Sequence, residues 1–139
     1  MLKTDTTMQE FVVNTIQLGE EQEAEFLWVS LHFESPASVD DRIHIVSATS
    51  VDEQDRRSGM DKIYLERLDQ IQAAYGAASS ILVTADAIKF DFTADGQRQL
   101  GFSSTLRLLW SSSLDGYEEA RETFTKMQNS ECDEAIKFA

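Results

Sequence analysis

The chain has 139 residues, and its 25 Asp and Glu against 12 Lys and Arg give a formal charge of -13. A negative charge of this size creates an electric field that repels nucleic acid and anionic membranes and attracts cationic partners. It argues against direct binding of nucleic acid and against a role at a membrane surface. The charge is equally compatible with an acidic surface that only keeps the domain soluble. A single cysteine, Cys132, rules out an intramolecular disulfide framework and suits a reducing cytosol.

The length and the spread of breaking residues predict one domain, residues 1–139. Pro36 is the only proline and the six glycines are scattered singly, so nothing resembles a linker. The first ten residues lack the apolar run of a secretory signal, and no stretch approaches the ~20 apolar residues that cross a bilayer. These features predict a cytoplasmic protein without membrane contact, whose oligomeric state stays open.

The sequence predicts strands in the first half of the chain. Residues 11–18 are rich in β-branched side chains, residues 24–34 alternate, and residues 42–51 form a third, weaker strand. The acidic turn at residues 19–23 predicts a hairpin between the first two strands. One face of the second strand is expected to be buried and carries Leu27, Val29, Leu31 and Phe33. The other face carries Phe26, Trp28, Ser30 and His32.

The second half mixes strands with helices. A fourth strand begins near Ile63 and ends near Leu68, and residues 80–85 and 87–93 predict a hairpin that turns at Asp86. In the hairpin's second strand, one face carries Ile88, Phe90 and Phe92. A last predicted strand carries Leu106, Leu108 and Trp110 on one face.

Two helices are predicted. Thr93 can cap a short helix over residues 94–100, and Gly101 suits its end. Asp115 is expected to cap a longer C-terminal helix, with Glu118 completing a capping box. The stripe that docks this helix consists of Tyr117, Ala120, Phe124 and Met127. The predicted fold is therefore α+β: an antiparallel sheet of about six or seven strands, with a short helix and a longer C-terminal helix packed on one face.

No reaction centre is recognisable in the sequence. His32 and His44 are the only histidines, both lie in predicted strands, and no serine sits in a nucleophile elbow. The two histidines could meet across strands, but no third metal ligand follows from the spacing. The glycines are too isolated for a phosphate cradle. We therefore expect no catalytic residue, no metal and no cofactor.

Acidic residues gather in several clusters. Clusters of this kind accelerate the capture of a basic protein, and fast capture benefits an inhibitor of a lethal cationic enzyme. Each cluster can also be an ordinary solvated edge. The clusters comprise Glu20, Glu21, Glu23 and Glu25; Asp40 and Asp41; Asp52, Glu53 and Asp55; and Glu118, Glu119 and Glu122 on the outer face of the last helix.

One segment carries a family resemblance. Residues 61–70 read DKIYLERLDQ and continue to a Tyr-Gly pair, followed by a hairpin and an acidic helix. Over residues 62–127 this order resembles the immunity protein ten family of bacterial polymorphic toxin systems. The residues that match the motif are Tyr64, Glu66, Arg67, Asp69, Gln70, Tyr75 and Gly76. The resemblance implies a cytosolic non-enzyme that binds and blocks a toxin domain.

The predicted function is thus an immunity protein that occludes a cognate, basic toxin domain. Alternation places Tyr64 and Glu66 on one sheet face and Arg67 on the other. The residues predicted to bind the partner are Tyr64, Glu66, Arg67, Asp69, Gln70 and Tyr75, although the loop residues among them can simply shape the loop. The alternative function is a carrier of a small apolar ligand, held in a pocket between sheet and helix.

Overall fold

The structure is a computed structural model that describes residues 8–21, 25–68, 71–132 and 135–139. Within those residues it contains nine strands and three helices. In chain order they are β1 (Met8–Glu21), β2 (Phe26–Ser35), β3 (Ser38–Ala48), α1 (Glu53–Arg57), β4 (Tyr64–Glu66), β5 (Ala73–Tyr75), β6 (Ala78–Val83), β7 (Ala87–Phe92), α2 (Ala94–Leu100), β8 (Thr105–Leu109), α3 (Tyr117–Gln128) and β9 (Ile136–Phe138).

The described strands form one sheet in the order β5-β4-β3-β2-β1-β8-β7-β6-β9. The α+β class is confirmed, but the expectation of about six or seven antiparallel strands is wrong, because the sheet has nine strands and is mixed. β1 runs parallel to β8, and β6 runs parallel to β9. The other pairings are antiparallel, and β1 to β5 follow one another as a meander.

The predicted alternation in β2 and β7 is confirmed by burial. The predicted inner positions of both strands lie in the hydrophobic core, and Val29, Leu31, Phe33, Ile88 and Phe90 are completely buried. Aromatic rings connect the two halves of the sheet, since Phe33 lies 6.3 Å from Phe102, which stacks on Phe92 at 5.6 Å between ring centroids. The inner face is therefore the core of the molecule.

The short helix α2 has the predicted ends. The Thr93 hydroxyl accepts from the backbone N–H of Gly96, and Gly101 adopts the left-handed conformation with φ 74°. Gly96 lies against the backbone of Ala77, and an added Cβ there would come within 2.1 Å of the Ala77 carbonyl oxygen. Glycine thus allows α2 to sit directly on the turn between β5 and β6.

The C-terminal helix α3 packs on the core face, as predicted, through Tyr117, Ala120, Phe124 and Met127. The predicted cap is wrong. The N-cap is Gly116, with φ 86° and no side-chain cap hydrogen bond, so Asp115 does not cap the helix. Gly116 adopts the left-handed conformation beside β1, where an added Cβ would lie 3.5 Å from the Ile16 side chain.

The polar segment between β3 and β4 contains the short helix α1. Asp52 caps it, and its side chain accepts from the backbone N–H of Asp55, whose carboxylate accepts in return from the backbone N–H of Asp52. This reciprocal capping box explains two of the acids clustered in the sequence. None of the described helices is long and apolar enough to span a membrane.

Candidate functional site

The outer face of the meander carries an aromatic row. Strand register places Gly19 opposite Trp28, Trp28 opposite Val46, Val46 opposite Tyr64, and Tyr64 opposite Tyr75. Directly opposed residues on one face are the closest side-chain neighbours in a sheet. The Tyr64 and Tyr75 rings accordingly lie 5.1 Å apart between centroids.

Above this row lies a cavity of about 520 Å³. The sheet forms its floor, and the segment around α1 forms its wall. Three large apolar side chains at this site are partly exposed: Phe26 at 41%, Met60 at 45% and Tyr75 at 44%. The cavity is lined by Glu25, Phe26, Trp28, His44, Val46, Ala48, Ser50, Asp55, Met60, Lys62, Tyr64 and Tyr75. An exposed, concave group of aromatic side chains is typical of a binding surface.

Trp28 is held in place from two sides. A Cβ added to Gly19 would lie 2.6 Å from the indole nitrogen of Trp28, so the ring occupies the space left by the missing side chain. The His44 ring lies 5.4 Å from the Trp28 ring at a tilt of 43°. The indole is therefore positioned before any partner arrives, which reduces the entropy lost on binding.

A polar network fixes Tyr64. Its hydroxyl donates to Glu66 Oε1 at 2.8 Å, and Arg42 donates to Glu66 Oε2 at 2.9 Å. Arg42 also donates to the Arg67 carbonyl at 3.0 Å. Burial and the hydrogen bond to Glu66 raise the pKa of Tyr64 to about 12, so the hydroxyl stays protonated as a donor. Both carboxylate oxygens of Glu66 are thus engaged by neighbouring side chains, and Glu66 holds Tyr64 in place.

His44 lies on the floor of the cavity in its neutral form. Burial and the nearby Arg42 charge lower the pKa of His44 below its usual 6.5, and Glu66 opposes this only in part. Its Nδ1 is 2.8 Å from the Ser30 hydroxyl. Because a neutral imidazole adds no positive charge, the floor does not repel a cation.

Arg67 lies on the opposite face, as the alternation predicts, and it is buried. It donates to both carboxylate oxygens of Asp41, at 3.1 Å and 2.7 Å, and to the carbonyls of Leu100 and Gly101 at the end of α2. Its guanidinium carbon stacks 3.8 Å from the centroid of the Phe102 ring. Arg67 therefore ties β3 to α2.

Asp41 is fully buried, so it does not belong to an exposed acidic cluster with Asp40. Burial by itself would raise the pKa of Asp41. The hydrogen bonds from Arg67 and Ser35, the Arg67 charge and the Arg42 backbone N–H outweigh burial and hold that pKa below its usual value. Asp41 is a buried carboxylate whose negative charge balances the buried guanidinium of Arg67.

The predicted site residues are thus divided among three environments. Tyr64 and Tyr75 line the cavity, Glu66 supports Tyr64 from the same face, and Arg67 is buried on the other face. Asp69 and Gln70 lie outside the described residues. The interpretation of the motif missed Trp28 and Phe26, which lie in the distant strand β2, and Met60, which directly precedes the motif. One signal for them was present, because alternation had placed Phe26 and Trp28 on the outward face of β2.

The site presents aromatic and charged side chains around an open cavity. Within the described residues, no group of three or more His, Cys, Asp and Glu is placed to hold a metal ion. The helix–sheet interface that the carrier alternative requires is filled, since Ala120, Phe124 and Met127 of α3 are completely buried. The open space lies on the other side of the sheet, in a cavity bordered by charged groups.

Comparison of the sequence with known proteins identifies the family. No curated protein matches the chain. A family model described as Immunity protein 10 matches residues 12–118. The match extends the resemblance from the motif in β4 back into β1, and so includes the meander from residue 12 onward. The chain belongs to the Immunity protein 10 family.

Proposed function

We propose that this protein binds a cognate toxin domain in the bacterial cytosol and covers its working surface, without catalysing a reaction. Family membership gives the general role of an immunity protein. The observation that carries the proposal is the preformed aromatic cavity on the outer sheet face, where Phe26, Met60 and Tyr75 leave much of their apolar surface exposed. Partly exposed aromatic anchors are the side chains that most often dominate the energy of protein interfaces.

The proposed contact surface contains Tyr64 and Tyr75, with Glu66 holding Tyr64 in position. Asp69 and Gln70, which follow β4 in the chain, are proposed as further contacts. Arg67 is proposed to act indirectly, because its guanidinium is buried and engaged with Asp41. Its contribution to binding is to fix the chain that leads from β4 into the loop.

The proposed toxin is basic. A formal charge of -13 on this chain attracts a cationic partner and raises its association rate. The same field disfavours nucleic acid and anionic lipid as competing partners. The negative charge of the chain supports a positively charged partner, and the aromatic cavity supports the location of the contact.

The decisive experiment measures binding of the toxin domain encoded beside this gene by isothermal titration calorimetry. We expect a dissociation constant in the nanomolar class and protection of cells that express both proteins. The Phe26→Ala/Tyr75→Ala variant should bind at least about tenfold more weakly, since it removes two rim anchors. The matched control is Val12→Ala/Val39→Ala, which trims two exposed apolar residues elsewhere. Absence of binding by the wild-type protein would overturn the proposal.

A further inference from the structure

The rim of the cavity combines aromatic faces with charged groups. Trp28 and Tyr64 flank Val46 in the row, Tyr75 lies opposite Tyr64, and Glu25 and Asp55 line the same space. Lys62 also lines it, so the neutral His44 leaves two negative groups against one positive group. The local balance is therefore anionic, in agreement with the charge of the whole chain.

Both carboxylates are positioned with binding capacity to spare. Glu25 accepts from the Ser50 hydroxyl at 3.0 Å through Oε2, and Asp55 accepts from the Asp52 backbone N–H at 3.0 Å through Oδ2. An ionised carboxylate has two oxygens that can each accept more than one hydrogen bond. These internal bonds orient the groups and leave acceptor positions for a donor that enters the cavity.

We propose that this cavity receives an arginine side chain of the toxin, its guanidinium stacked against the Trp28 and tyrosine rings and hydrogen-bonded to Glu25 and Asp55. This inference rests on the proposed function and names the chemistry of the partner's anchor. A planar guanidinium suits the site because it stacks on aromatic rings, sheds water more easily than an ammonium group, and donates several hydrogen bonds in one plane.

The protein already holds one guanidinium in this way. Arg67 stacks on Phe102 while it donates to the Asp41 carboxylate on the inner face. The inner site is filled by the chain's own arginine, whereas the outer cavity offers rings and carboxylates around open space. A stacked ring, a carboxylate and two backbone carbonyls together hold this buried guanidinium.

Removing the charge of Lys62 should change the affinity for a cation in the direction opposite to removing a carboxylate. Lys62 lines the same cavity as Glu25 and Asp55, and its positive charge opposes the entry of a second cation. Lys62→Gln should therefore strengthen binding of a cation, and Glu25→Gln should weaken it while keeping an acceptor for Ser50. The matched control is Glu34→Gln, an equal charge change at an exposed position at the other end of β2.

The first measurement uses a small probe and does not depend on the toxin. N-acetyl-arginine amide is titrated into the folded protein, with N-acetyl-citrulline amide as the uncharged isostere, and the indole N–H resonance of Trp28 is followed by NMR. We expect a saturable millimolar shift with arginine and about tenfold weaker binding with citrulline. Equal binding of the two probes, or shifts located away from Trp28, would overturn the inference.

The second measurement repeats the toxin titration with the three charge variants. We expect a loss of about fivefold or more for Glu25→Gln, a gain for Lys62→Gln and a change below about twofold for Glu34→Gln. If wild-type protein binds the toxin but all three variants bind alike, the arginine anchor is refuted and the proposed function stands. If wild-type protein does not bind the toxin, the proposed function fails, and the arginine probe still decides whether the cavity recognises a guanidinium.

Discussion

At the residue scale, two neighbouring side chains in the family motif have separate tasks. Glu66 points to the outer face, where it positions Tyr64, and Arg67 points to the inner face, where it neutralises Asp41. Strand alternation makes this division unavoidable, because successive side chains leave opposite faces of a strand. A substitution at Arg67 should therefore act on stability, and one at Glu66 on the geometry of the binding face.

Arg67→Met is expected to destabilise the fold by about 3 to 5 kcal/mol, since it leaves the Asp41 charge buried without its partner. Urea unfolding followed by circular dichroism measures the loss. The control is Arg98→Met in α2, whose ion pair with Asp95 is exposed and whose removal should cost less than about 1 kcal/mol. The double variant Asp41→Leu/Arg67→Met should recover part of the loss. Equal costs for Arg67→Met and Arg98→Met would contradict this account.

His44 is expected to make stability depend on pH. Its pKa in the folded protein lies below 6.5, so the unfolded chain takes up this proton first and stability falls as the pH drops below 6.5. Above that pH the contribution of the neutral imidazole is fully present. The unfolding free energies of wild type and His44→Asn should differ by a constant amount well above pH 6.5, and this difference should shrink as the pH falls below 6.5. Parallel curves would show that His44 titrates normally.

At the element scale, close backbone approach decides where α2 sits. Gly96→Ala should destabilise the protein by about 1 to 3 kcal/mol, although alanine is the better helix former. The new Cβ would clash with the Ala77 carbonyl, and neither atom can move without a shift of the backbone. Thermal unfolding measures the effect. Gln99→Ala, at an exposed position of the same helix, should change stability by less than about 0.5 kcal/mol. A Gly96→Ala protein as stable as wild type would refute the tight contact.

The elements that the sequence predicts are those that show their periodicity over several residues. The alternation of β2 and β7 and the stripe of α3 were all readable. β5 and β9 have three residues each, too few to show a period. The two parallel pairings join segments far apart in the chain, and no local pattern records such pairing.

The candidate site was half predictable for the same reason. Tyr64 and Tyr75 belong to one local motif, whereas Trp28 reaches them only through the register of β2, β3 and β4. Likewise, the partner of Arg67 was unreadable, because Asp41 lies far away in the sequence and looks like a surface acid beside Asp40. Sequence pattern gives the face of a side chain, and register gives its neighbours.

At the scale of the whole molecule, part of the negative charge lies on the side of the sheet opposite the proposed contact surface. α3 packs on the inner face and exposes Glu118, Glu119 and Glu122, while the aromatic cavity opens on the outer face. Acids on α3 therefore contribute to the long-range field without belonging to the proposed contact surface. Steering and anchoring can consequently be changed independently, since association rates respond to the field and dissociation rates to the contacts.

The triple variant Glu118→Gln/Glu119→Gln/Glu122→Gln should slow association with a basic toxin domain by about two- to fivefold at low salt, while its dissociation rate stays unchanged. Surface plasmon resonance measures both rates. The control is the same comparison in about 0.5 M NaCl, where exposed charges are screened within a few ångströms and the association rates should coincide. A faster dissociation would mean that the outer face of α3 contacts the toxin. An unchanged association rate at low salt would mean that the charge of -13 serves solubility alone, because a steering field must weaken when three of its sources are removed.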